Sequence, residues 1–253
     1  SLDVFGWATA FLFPVRATTF LQQVARLTAK VASADVPHAV AFVLTCGGLL
    51  ALHKESPEEQ LETARRGLKA KLRPVNNGTG LLKHANKLCL RSQPARVAVE
   101  ALQPIQLALG TKRGVERMAH TFNAAWRQGY MPVGMDYVNG FNDMSRQAML
   151  DAVNKRCPQL NAQFNKFYAL DSPCFFMVDG EAQVVWSQEG SRMGCVMGSF
   201  GFDLTMQDVY EAVQAQMPEA VVQAITDDLN FAVPPQDSIQ DQLKLAGELF
   251  DLA

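Results

Sequence analysis

"VVQAITDDLNFAV", residues 221–233, sets two adjacent aspartates, Asp227 and Asp228, inside a run that otherwise reads as buried strand. Burying one unpaired carboxylate is expensive, and a like charge beside it adds repulsion. The pair therefore belongs on a tight turn between two strands, or against something positive. Successive strand side chains face opposite ways, so both carboxylates serve one site only if the chain kinks there. A further isolated acid, Asp136, ends the apolar run in "GYMPVGMDYVNGFNDMSR". Alone, a strand-end aspartate is a helix cap or a solvated turn residue. Three carboxylates gathered at the tips of neighbouring strands instead make a hard oxygen site for Mg²⁺, the donor set that suits two-ion phosphoryl transfer. On these residues alone both readings stay open.

Charge narrows the partner class. The 253 residues are 48% apolar, enough to bury a core in one large domain or two lobes. A net charge of −2 hides an asymmetry: residues 1–125 hold 16 Lys and Arg against 8 Asp and Glu, net +8, and residues 126–253 hold 7 against 17, net −10. Between Glu62 and Glu100 there is no acid, but there are nine bases: Arg65, Arg66, Lys69, Lys71, Arg73, Lys83, Lys87, Arg91 and Arg96. Such a run attracts phosphates, and by itself it is equally a solvated basic face. The five cysteines are scattered without a C-x-x-C pair, which suits a reducing, intracellular compartment and argues against zinc. The longest apolar stretch, "AVAFVLTCGGLLAL" at residues 39–52, is too short to cross a bilayer and is broken by Gly47-Gly48. No signal-peptide layout follows Ser1, and the chain reads as the ordered part of something longer.

The spacing predicts a mixture of helices and strands. Phe20, Leu21, Val24, Leu27 and Val31 recur at helical intervals. "SPEEQLETARRGLKAKL" opens on a capping box, with Ser56 as N-cap, Pro57 at the first helical position and Glu59 reaching back. "GVERMAHTFNAAWRQGY" is a helix ending near Gly129, "MPVGMDYV" a short strand, and "NDMSRQAMLDAVNKRC" a helix capped by Asn142 or Asp143. "CFFMVDGEAQVVW" predicts two strands around an Asp179-Gly180 turn. "GSFGFDLTMQDVYEAVQAQM" is a helix after a glycine-rich loop, and "SIQDQLKLAGELFDL" is the last helix. Without regular βαβ alternation, α+β is the expected class.

The order of motifs from about residue 36 onward resembles the reverse transcriptase domain of non-LTR (LINE-type) retrotransposons. "GLLALHKE" is similar to that family's strand bearing a lysine, here Lys54. "LRPVNNGTGLLKHANK" resembles R-P-I followed by G-x-x-x-[RK]-R, through Arg73, Gly78 and Lys83. "PIQLALGTKRGVERMAH" resembles the linking segment, through Gln106, Gly114, Glu116 and His120. "MDYVNGFNDMSR" resembles D-x-x-N-A-F-N-x-x-x-R with Gly140 for Ala. "EGSRMGCVMGSFGF" lines up with the family's G-V-Q-Q-G-D-P-L-G-P-L-L-F through Gly190, Gly194, Gly198 and Phe202.

The resemblance implies an α+β right-hand polymerase with fingers and palm, the palm an antiparallel sheet with packed helices and the thumb absent from this chain. It implies fingers at 1–95, a first palm part at 96–150, an insertion hairpin at 151–187 and a second palm part at 188–253. It implies RNA-directed DNA synthesis. Asp136 and Asp227 would be the main ligands of Mg²⁺ (or Mn²⁺), with Asp228 supporting. Phe141 would be the steric gate under the sugar, and Lys54, Arg73, Lys83, Met193 and Gly194 would line the nucleotide site. The implied partners are an RNA template, a DNA primer and deoxynucleoside triphosphates, in the nucleus or cytoplasm, with no membrane and room for protein partners in a larger complex.

The sequence also departs from the pattern. Met193 replaces a glutamine, Cys195-Val196 replaces D-P, Ile225 replaces an aromatic and Leu82 replaces a base. No metal ligand is lost, but polar contacts to nucleotide and template are. The alternative reading is accordingly a repurposed, catalytically inactive fold that binds nucleic acid or serves as a structural subunit.

Overall fold

The computed structural model describes residues 18–253. Two compact units share the chain: residues up to Cys89 together with Ala162–Gly198, and Leu90–Asn161 together with Ser199–Ala253.

The first unit opens with α1 (Thr18–Ala32) and α2 (His38–Thr45), which runs into β1 (Gly47–His53). Helix α3 (Pro57–Arg65) starts on the expected capping box: Ser56 Oγ accepts from the Glu59 amide at 3.3 Å and the Glu59 carboxylate accepts from the Ser56 amide at 2.8 Å. Strand β2 (Leu72–Gly78) and α4 (Gly80–Leu90) follow. After α9 (Asn161–Tyr168) come β4 (Ser172–Val178) and β5 (Glu181–Ser187), joined through Asp179-Gly180 with both residues at positive φ. The sheet order is β2-β1-β4-β5, antiparallel except for the parallel pairing of β1 with β4. Its helical core gathers Val31, Ala41, Leu44, Leu82, Ala85 and Phe167.

In the second unit α5 (Gln93–Ala101) and α6 (Gly114–Arg127) precede β3 (Met131–Asp136), the single turn α7 (Gly140–Asp143) and α8 (Arg146–Arg156). The cap of α8 corrects the sequence expectation. Asn142 and Asp143 lie inside α7, which Asn139 enters with φ of 57°. Ser145 is the N-cap, its Oγ accepting from the Ala148 amide at 3.3 Å. Helix α10 (Val196–Gln216) begins within the glycine-rich loop, and its first three residues belong to the first unit. Strands β6 (Val221–Ile225) and β7 (Asp228–Val233) and helix α11 (Ile239–Leu252) complete the fold.

The second sheet has the order β3-β7-β6 and is wholly antiparallel. Its register aligns Val133, Phe231 and Val222 across one face, followed by Met135, Leu229 and Ala224. That face joins Tyr210 and Val213 of α10 and Leu249 of α11 in one core. Each large side chain buried there contributes about 1.5–3 kcal/mol. The opposite face carries Gly134, Asn230 and Gln223, then Asp136, Asp228 and Ile225. Among the described residues no helix is long and apolar enough to cross a membrane.

Candidate functional site

The carboxylates meet at the tip of the second sheet. Asp136 ends β3 and Asp228 begins β7, and they are direct partners in the register. Directly opposed like charges on a sheet repel. Both are exposed, and the Asp228 carboxyl is held above its ordinary range by partial burial and then by the negative charges of Asp227 and Asp136. Asp227 sits beside them in the two-residue turn that closes β6 onto β7. The kink demanded by adjacent acids is therefore present: one acid in the turn, the next in the strand.

That turn is strained and clamped. Thr226 has φ of 57°, an outlier for a β-branched residue that costs on the order of 1–3 kcal/mol. Its amide donates to Gln106 Oε1 at 2.9 Å, and its carbonyl accepts from Gln106 Nε2 at 3.2 Å and from the Tyr210 hydroxyl at 2.8 Å. Three bonds at about 0.5–1.5 kcal/mol each offset the strain.

Beneath the tip, Asp203 of α10 is fully buried, and neither carboxylate oxygen has a hydrogen-bond partner. Burial, reinforced by the charge of Asp227, pushes its carboxyl up to about 8. Asp203 carries no signal in the sequence, where "FDL" reads as an ordinary helical turn. Phe141 is half-buried on α7, its ring stacked on buried Phe202 with centroids 4.6 Å apart and planes 17° from parallel.

The donor chemistry at the tip is that of a hard cation site, but the placement is incomplete. Among the described residues no group of three His, Cys, Asp or Glu side chains is arranged to hold a metal ion. Asp136 and Asp228 face each other in the register, with Asp227 in the adjoining turn.

The basic residues lie in the first unit. Lys54 continues the β1–β2 ladder, its amide donating to the Lys71 carbonyl at 2.9 Å. The register pairs Leu52 with Arg73 and Leu50 with Val75. Side chains alternate along a strand, so Lys54, Lys71 and Arg73 share a face with Leu50, Leu52 and Val75. Across the sheet the same face carries Phe175 and Met177 of β4 and Val184 and Trp186 of β5. Met177 is 66% exposed, Trp186 51% and Leu52 50%. This face therefore joins a contiguous apolar and aromatic surface to a cationic end, and its strand positions hold no acid. Asn77 lies on it too, and its side-chain oxygen accepts from Lys83 Nζ of α4. Lys54 and Arg73 thus share one end of this face, and Lys83 reaches its other end through Asn77.

Met193 and Gly194 run along the outer edge of β2. The Asn76 amide donates to the Met193 carbonyl at 2.8 Å. Gly194 has φ of 96°, and a Cβ there would stand 2.7 Å from the Asn76 carbonyl oxygen. Only glycine fits that approach. Arg192, the residue before Met193, gives no sign of its burial in the sequence because arginine is seldom buried. It is 6% exposed, donates to Ser172 Oγ at 2.5 Å and to the Phe167 carbonyl at 2.7 Å, and lies 4.2 Å over the Tyr168 ring. It ties the glycine loop to β4 and α9.

The fold is α+β, with mixed helices and sheets broadly consistent with a reverse-transcriptase-like architecture. The structure of an apo telomerase from Candida tropicalis, truncated of its C-terminal domain, matches with a TM-score of 0.51 and 10% identity, over 82% of this chain and 46% of that one. The chain thus spans less than half the length of that telomerase chain, and at such identity the likeness speaks for the fold alone. The kinship is distant and does not single out the non-LTR retrotransposons. No protein-family model and no curated protein matches the sequence.

Proposed function

We propose that this chain is a repurposed reverse-transcriptase-like module that holds nucleic acid as a subunit of a larger assembly. The first unit serves as fingers and the second as palm. The observation that carries the reading is the sheet face uniting Lys54, Lys71 and Arg73 with exposed Trp186, Met177 and Leu52. Cations along a groove bind phosphates of any sequence, and aromatic rings stack on bases of any identity. Single-stranded RNA or DNA fits that chemistry. The substitutions at Met193, Cys195-Val196 and Ile225, with the incomplete carboxylate cluster, favour binding over synthesis.

A second reading has its own support. Asp136 opposite Asp228, with Asp227 alongside, is the start of a metal-ion polymerase site using Mg²⁺ or Mn²⁺, with Phe141 nearby in sequence to exclude a 2′-hydroxyl. Primer extension on an RNA template, run beside a binding assay on the same preparation, separates the two. Our reading expects RNA to be retained and no primer to be extended by either the wild-type chain or Asp227→Asn. Extension that needs Mg²⁺ and disappears in Asp227→Asn establishes the polymerase instead.

A further inference from the structure

We propose that Gln106 and Tyr210 are positioning residues: they lock Thr226 in its left-handed conformation and so fix the direction in which Asp227 and Asp228 project. The inference rests on the hydrogen bonds around the turn and holds whichever reading of the acids is right.

The Gln106 side chain brackets one peptide unit of the chain, accepting from the Thr226 amide and donating to the Thr226 carbonyl. A primary amide is the side chain able to do both with one flat group. Gln106 is itself immobilised. It forms a parallel bridge with Ala224, flanked by the Leu107 amide on the Ala224 carbonyl and the Ala224 amide on the Ile105 carbonyl, both at 2.8 Å. Its Oε1 also accepts from the Ala108 amide at 3.0 Å, and the residue is 1% exposed. Tyr210 reaches the Thr226 carbonyl from α10 with its ring fully buried.

Two elements remote in sequence therefore converge on the backbone of one residue, and that residue carries the unfavourable φ. A hairpin that only needed to turn would place glycine or asparagine there and dispense with the clamp. Here the strain is kept and bonded from two sides. The residues it governs are the next two, both aspartates. Without the bracket, Thr226 relaxes towards negative φ and the acids turn away from Asp136.

Amide hydrogen exchange of the full chain, read residue by residue by NMR, tests this. Gln106→Met keeps the side-chain length and removes both bonds. We expect Thr226 to exchange at least about tenfold faster while Leu229 and Phe231 stay at wild-type rates, as a local opening requires. Gln106→Glu, when protonated, presents the same acceptor and donor, so at acidic pH it restores Thr226 protection relative to Phe231. Unchanged Thr226 exchange in Gln106→Met overturns the proposal. So does equal acceleration of Thr226, Leu229 and Phe231 in both variants, which marks a general loss of stability. Should Gln106→Met fail to fold, Tyr210→Phe decides. Displacement of the Thr226 carbonyl carbon and Asp228 amide resonances with Phe231 in place supports the clamp, and no displacement refutes it.

Discussion

Asp203 shows how much a single residue can conceal in a sequence. It sits one position after Phe202 in a helix whose register looks ordinary, yet it is sealed from water with both oxygens unpartnered. Its carboxyl is held up at about 8 against 3.8 in the unfolded chain, so the folded state keeps a proton that the unfolded chain releases. The stability this contributes is complete below the unfolded value and is lost progressively as pH rises towards 8. Melting temperature should therefore fall between about pH 5 and 8 in the wild type. In Asp203→Asn the fall should be shallower, leaving the variant several degrees more stable at about pH 8, since 1 kcal/mol moves a chain of this size by about 2–4 °C. Parallel melting curves for the two proteins would refute the assignment. Asp136, Asp227 and Asp228 were conspicuous in the sequence because charge interrupts apolar runs there. Asp203 and Arg192 were not, because their burial follows from which elements pack around them, and local pattern carries no trace of that.

At the level of elements, local chemistry was readable and long-range pairing was not. Ser56 with Glu59 announces α3, Asp179-Gly180 announces the β4–β5 hairpin, and the double aspartate announces the turn between β6 and β7. The parallel contact of β1 with β4 joins strands more than a hundred residues apart and has no local signal. Strand β2 and helix α4 carried a motif without a predicted element, α5 and α9 had neither, and the cap of α8 moved to Ser145 because α7 consumes Asn142 and Asp143. The glycine loop was noticed for its glycines, but the reason for Gly194 emerges only against β2. A Cβ at that position meets the Asn76 carbonyl while the backbone stands at φ of 96°. Gly194→Ala should cost about 1–3 kcal/mol in urea unfolding, with the glycine loop displaced from β2. Wild-type stability in that variant would contradict the close approach.

At the scale of the whole molecule, the charge asymmetry of the sequence survives in altered form. The two sequence halves differ as +8 against −10, whereas the described residues of the two compact units carry 12 bases against 9 acids, net +3, and 10 against 15, net −5. The contrast shrinks because the chain leaves the first unit after Cys89 and returns to it at Ala162, so neither unit coincides with a half. What remains is more informative than net charge. Lys54, Lys71 and Arg73 share one sheet face with exposed apolar and aromatic side chains, and a polyanion with stackable bases is the ligand that uses both. The fold supplies the platform, and the departures from the reverse transcriptase pattern fall around it and around the acids.

The central claim is tested most directly by the salt dependence of binding to a fluorescently labelled single-stranded RNA, measured by anisotropy for the wild type and for the double variant Lys71→Ala/Arg73→Ala. We predict a steep loss of affinity with salt in the wild type. In the variant the log–log slope should be shallower by about 1–2, reflecting one or two lost phosphate contacts, at unchanged thermal stability. Identical slopes and affinities in the two proteins would contradict the account.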